Sequence, residues 1–152
     1  MKDILVLPSG LRSLTFGSLF NQSIDQLGLP NELQIIIFGV HFNQSLDQVT
    51  LPEGLQDLRF GREFNQSLDN VKFPSGLRSL TFGDRFNQNM AHVGLPSELH
   101  SLEFGWYITQ SNLEKVAFPR ALRKLKLAHA LNYCVDHLDL PLNVLISYGD
   151  RG

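Results

Sequence analysis

Carboxylates recur along this chain at Asp25, Asp47, Asp69, Glu114 and Asp136, with Ala91 in the one gap. If the chain is a stack of coils, these groups stand about 5 Å apart, a file that could in principle hold calcium. The glycine-rich nonapeptide that binds calcium in other solenoids is absent, and aspartate ahead of a tight turn bonds its own backbone, so no metal site is expected. His41, His92, His100, His129 and His137 occupy mostly different columns without paired ligand spacing, and they read as surface residues. Cys134 stands in a column used by Ser23, Ser45 and Ser67, with no histidine or basic group at a useful spacing, which argues against a nucleophile. No phosphate loop, Ser-His-Asp arrangement or zinc motif occurs. The expectation is a noncatalytic chain without a cofactor.

The columns exist because a 22-residue unit recurs, reading Leu-Pro-x-x-Leu-x-x-Leu-x-Phe-Gly-x-x-Phe-Asn-Gln-Ser-Leu-Asp-x-Val. Pro8, Pro30, Pro52, Pro74 and Pro96 hold that spacing, Pro119 follows a one-residue insertion, and Pro141 restores it. A unit this short buries its apolar residues only against its neighbours, so the fold class is a repeat solenoid. Residues 1–152 are expected to form a single array of about seven coils.

Period-two stretches such as Leu14-Thr15-Phe16, Leu58-Arg59-Phe60, Leu80-Thr81-Phe82 and Leu102-Glu103-Phe104 predict a short strand in each coil, Leu and Phe inward. Strands in successive coils then form one parallel sheet face. Gly17, Gly39, Gly61, Gly83 and Gly105 end these strands, either by adopting positive φ or by letting two backbones come close. Ala128 breaks that run, so its coil is expected to turn differently. The asparagines after the second Phe (Asn21, Asn43, Asn65, Asn87, with Thr109 and Asn132 as degenerate copies) are expected to be buried in a ladder satisfying turning backbone. Burial would also make accidents of the Asn-Gln-Ser acceptor patterns at Asn21, Asn43 and Asn65. The insertion between Gln110 and Val116 marks the fifth coil as irregular, and the far side reads as 3₁₀ turns or tight bends.

Candidate binding residues follow from this geometry. The outward strand columns are Ser13 and Thr15, Ile35 and Ile37, Asp57 and Arg59, Ser79 and Thr81, Ser101 and Glu103, Lys124 and Lys126. Ile35 and Ile37 put β-branched apolar residues where neighbours are polar, which reads either as a partner contact or as sheet-forming residues tolerated at a surface. At the rim, Trp106 and Tyr107 stand in columns elsewhere filled by Ser18 and Leu19 or Arg62 and Glu63. They serve either as exposed anchors or as fillers for space left where Ile108 replaces Phe. Lys115, Arg120, Arg123, Lys124 and Lys126 concentrate positive charge, and with no aromatic platform between them they read as a solvated face.

Leu-x-x-Leu-x-Phe followed by Asn resembles the leucine-rich repeat, although the Asn lies five residues past the Phe rather than three. The Leu-Pro, Phe-Gly and Phe-Asn blocks together, from residue 3 to 149, look more like the FNIP repeat, a 22-residue relative named for Phe-Asn-Ile-Pro. Gln-Ser stands here in place of Ile-Pro. The resemblance implies a leucine-rich-repeat-like right-handed coil and a binding or scaffolding role, with no common activity or cofactor.

Composition narrows the partner class. An apolar fraction of 43% suits a folded chain, and the 11 Phe against 1 Trp and 3 Tyr reflect two fixed core columns. A net charge of −2 lacks the positive field of a nucleic-acid binder. One cysteine, no signal-like N-terminus and no long apolar run point to a soluble protein of the cytoplasm or another reducing compartment. Met1 and Gly152 fall inside units rather than at caps, so the chain is expected either to be part of a longer array or to associate through its ends. The expected function is a protein-interaction or scaffold module binding through the sheet face and rim. The alternative is a structural subunit of a larger assembly.

Overall fold

The computed structural model describes residues 5–128, 131 and 135–149. His129, Asn132 and Cys134 lie outside this set. Seven strands form one parallel sheet in chain order: β1 (Ser13–Thr15), β2 (Ile35–Ile37), β3 (Asp57–Arg59), β4 (Ser79–Thr81), β5 (Ser101–Glu103), β6 (Lys124–Ala128) and β7 (Leu145–Gly149). Each strand faces the equivalent residues one unit later, so Leu14 pairs with Ile36, Ile36 with Leu58 and Leu58 with Leu80. The register survives the insertion, with Leu102 opposite Leu125. The chain is a repeat solenoid with a continuous parallel face, as its periodicity predicts.

The central residue of each three-residue strand points into the solenoid, as does Leu125 of β6, and Ile36, Leu58, Leu80, Leu102 and Leu125 are fully buried. Beside them run two files of phenylalanine. Phe16, Phe38, Phe60, Phe82 and Phe104 stack nearly parallel at 5.0–5.4 Å, and Phe20, Phe42, Phe64 and Phe86 at 6.1–6.2 Å. Within a coil the two rings lie closer still, 3.9 Å apart for Phe60 and Phe64. Each ring thereby meets its own coil and both neighbours, and burial of such a side chain is worth about 1.5–3 kcal/mol.

Tight turns carry the chain between straight segments. The prolines open one set: Leu55 N–H donates to Pro52 O and Leu77 N–H to Pro74 O, both at 3.1 Å. A fixed proline φ suits that start. On the far side a single bond closes each regular turn, such as Val49 N–H to Leu46 O at 3.0 Å. Only Val135–His137 forms a 3₁₀ helix there among the described residues. The capping group at this turn is the serine rather than the expected aspartate: Ser23, Ser45 and Ser67 Oγ accept from the N–H groups of Asp25, Asp47 and Asp69, and Asn89 does the same for Ala91. The Asp side chains are exposed, Asp25 also accepting from Ser23 Oγ at 2.8 Å.

From the second coil on, the strand-ending glycines have one use, not two, while Gly17 in the first coil has open space around an added carbon. No described glycine has positive φ. A Cβ added to Gly39, Gly61, Gly83 or Gly105 would instead lie closer than 3.0 Å to backbone of the previous coil, that of Gly17, Gly39, Gly61 and Gly83 respectively. Hydrogen bonds next to the column hold the approach, as Glu63 N–H donates to Val40 O at 2.9 Å and Arg85 N–H to Arg62 O at 3.0 Å. Where Ala128 replaces glycine, the strand does not end: β6 runs to Ala128 and pairs it with Gly149. The irregular fifth coil accommodates its insertion as a short helix, α1 (Gln110–Leu113).

Gly61→Ala is therefore expected to destabilise the array by about 3 kcal/mol, because the obstacle is backbone that cannot rotate away. Gly10→Ala, with open space around the added carbon, should stay within about 0.5 kcal/mol of the parent. Urea denaturation of the two variants checks both values.

Candidate functional site

Sheet geometry turns the residues flanking each buried strand position outward, and their chemistry changes from coil to coil. Ile35 and Ile37 flank buried Ile36 and are themselves half-buried. Their partners in register are Ser13 and Thr15 on one side and Asp57 and Arg59 on the other. Arg59 reaches back along its own strand, donating from Nε and Nη2 to Asp57 at 2.6–3.1 Å. That bond, then the carboxylate charge, raises the arginine further above its already high range. Further along, Lys124 and Lys126 face Glu103 at 3.1 and 3.9 Å. Two of the five basic residues in the C-terminal concentration are thus tied to a carboxylate on the sheet, and Arg123 donates to the carbonyls of Arg120 and Leu122. The face carries two isoleucines beside a fixed ion pair, then small hydroxyls, then a Glu-Lys cluster.

The rim is built by the turn after the glycine. Arg62 approaches Asp84 at 3.9 Å and Arg85 approaches Glu63 at 3.3 Å, each pair spanning adjacent coils. Trp106 and Tyr107 take different roles. Tyr107 is exposed, at 53%, while Trp106 is half-buried and lines a small cavity with Phe104, Gly105, Ala128 and Gly149. Of the two placements left open by the sequence, Trp106 takes the inward one and Tyr107 the exposed one. The changing outward residues leave Ile35, Ile37, Asp57 and Arg59 together on one stretch, Lys124 and Lys126 on another, and Tyr107 on the flank.

Beyond the rim runs the amide ladder. Asn21 Oδ1 accepts from Asn43 N–H and Gln44 Nε2, both at 2.9 Å. Asn43 Oδ1 accepts from Asn65 N–H at 2.9 Å and Gln66 Nε2 at 3.0 Å. Asn65 Oδ1 does so for Asn87 N–H at 3.0 Å and Gln88 Nε2 at 2.9 Å. The ladder is as expected, but its burial is not: Asn21 and Asn87 are exposed and Asn43 and Asn65 half-buried. The acceptor patterns at these asparagines are therefore not set aside by burial. Glutamine is the partner that sequence reasoning missed, although Gln follows Asn in each regular unit. At the fifth coil the ladder changes hands. Thr109 takes the Asn column without an amide, its N–H donates to Asn112 Oδ1 at 2.8 Å instead of to the previous coil, and Asn112 Nδ2 donates to Asn87 O at 2.8 Å.

No group of three or more His, Cys, Asp or Glu among the described residues could hold a metal ion. Asp25, Asp47, Asp69, Glu114 and Asp136 are exposed, as are His41, His92, His100 and His137. No helix of the described residues is long and apolar enough to cross a membrane.

Asn65→Ala should cost about 1–3 kcal/mol, since it removes two hydrogen bonds, from Asn87 N–H and Gln88 Nε2, each worth about 0.5–1.5 kcal/mol. Asp57→Asn, which loosens an exposed pair, should cost less than about 1 kcal/mol. Chemical denaturation separates the two.

Comparison with known proteins agrees with this geometry. No curated protein matches the chain. The crystal structure of CroV588, a circular leucine-rich-repeat protein, superposes with a TM-score of 0.75 at 36% identity, over 95% of this chain and 21% of that one. The chain thus spans about a fifth of that neighbour's length. The family model described as FNIP Repeat matches residues 3–41, 42–71 and 64–107. With two Phe files, a Gly column and an Asn ladder in the positions that the repeat demands, the chain belongs to the FNIP repeat family.

Proposed function

We propose that the chain is a noncatalytic protein-interaction or scaffold module, a single array that presents its outward sheet face to a protein partner in a reducing compartment such as the cytoplasm. One observation carries this reading. In register across β1–β5, the inward residue stays Leu or Ile while its outward neighbours run from Ser and Thr to Ile, to Asp and Arg, and back. The frame is constant and only the presented groups differ. A backbone locked by stacked rings and amide bonds loses little conformational freedom on binding, so modest contacts suffice. Ile35 and Ile37 supply the apolar centre, and the preorganised Asp57–Arg59 pair supplies a polar edge. Lys124 and Lys126 extend the surface toward an acidic region of the same partner.

A second reading, a structural part of a larger assembly, draws support from the neighbour described as circular, of which this chain matches a fifth. In that case the contacts are coil-end to coil-end and the sheet face stays wet.

The double variant Ile35→Ala, Ile37→Ala should retain the fold while weakening capture of the protein partner by about tenfold or more. Quantitative affinity capture beside circular dichroism reads both. Capture unchanged in this variant but lost on removal of a terminal coil would favour the assembly role instead.

A further inference from the structure

The amide ladder leaves one kind of group unused. Asn43 and Asn65 each commit Oδ1 to the next coil, and among the described residues no hydrogen bond occupies their Nδ2 atoms or that of Asn87. These three asparagines line one groove of about 440 Å³ together with Glu63, Arg85 and Tyr107. The groove follows the stack, so equivalent donors recur once per coil, about every 4.8 Å. That row asks for a ligand with acceptors at the same interval.

Three ligand classes can be compared on this ruler. Carbonyls on one face of an extended peptide recur about every 6.6 Å, which falls out of step with the coils almost at once. A polyanion needs excess positive charge, but Arg85, the one cation of the groove, sits 3.3 Å from Glu63. A neutral glycan meets both constraints: each pyranose unit of an extended β-1,4-linked chain advances by nearly one coil, and although successive units are turned over, every unit presents hydroxyl or ring oxygens along the same edge that accept hydrogen bonds without bringing charge. Glu63 Oε atoms can accept hydrogen bonds from sugar hydroxyls, and Arg85 adds a further donor. Tyr107, 53% exposed where the regular ladder stops, offers the apolar ring on which a sugar face can rest.

We propose that this groove is a binding site for a neutral, extended β-1,4-linked oligosaccharide, one sugar unit per coil across coils two to four, with the end unit stacked on Tyr107. This site is separate from Ile35 and Ile37, so it stands or falls independently of the sheet-face reading.

Titration of the full chain with cellohexaose and with chitohexaose, followed calorimetrically, tests it, with maltohexaose as a curved α-linked control. Saturable binding of at least one β-linked hexamer, with maltohexaose at least about tenfold weaker, is the expected result. Asn65→Asp keeps the Oδ1 acceptor that Asn87 and Gln88 use but removes the Nδ2 donor. It should weaken binding about tenfold while the melting curve stays close to the parent's. Tyr107→Ala, which leaves the ladder intact, should weaken it similarly. Failure of both β-linked hexamers to bind, equal binding of maltohexaose, or unchanged affinity in both folded variants would overturn the proposal. The Ile35→Ala, Ile37→Ala chain should bind the hexamer as the parent does.

Discussion

Coils two to five of this protein each rest on the bare backbone of the one before. At Gly39, Gly61, Gly83 and Gly105 the approach is so close that no side-chain carbon fits between, and every other periodic feature is set by that distance. The parallel strands stay within hydrogen-bonding reach because one corner of each coil is pinned there. The phenylalanines at either side of the glycine are consequently held in register, each ring falling over its equivalent rather than into a gap. The packing then resists shear between coils, since a slide of one coil would unstack two aromatic files together.

The ladder works at a second corner and is of a different kind. Where glycine admits contact by absence, asparagine enforces it by directed bonds to an N–H and a glutamine of the following coil. Those bonds lie in a half-exposed strip rather than in the core, so they compete with water and contribute individually little. Their effect is orientation: they fix which part of the turn faces the flank, and they hold the carbonyl oxygen of each asparagine away from solvent partners.

The period made the architecture legible. Prolines and leucines at constant spacing required stacking, and alternation at Leu58-Arg59-Phe60 required a strand with Arg59 outward. The ladder was legible in outline because an amide beside a turn has an evident use. Its burial and its glutamine partners were not, since a residue-type argument at one coil does not show how far the next coil reaches. The glycine ambiguity was similar: absence of a Cβ serves positive φ and close approach alike, and only the neighbouring carbonyl decides. For Trp106 and Tyr107 the deciding fact was the extended strand at Ala128, which leaves beside Gly105 a space that the indole lines and the phenol does not. The far turn is capped from the column two residues before the aspartate, by serine or by Asn89, because that position faces the N–H two residues on.

The ladder also has a direction. Each asparagine accepts only from the coil that follows, never from the one before, and the same is true of the contact at the glycines. A unit of 22 residues inserted or deleted whole between Asn43 and Asn87 therefore meets a matching donor on one side and a matching acceptor on the other. Array length in such a protein is free to drift by duplication and loss in whole coils, while any other increment is felt at once, as at the one-residue insertion after Thr109, where a short helix takes up the extra residue and Thr109 N–H turns to Asn112.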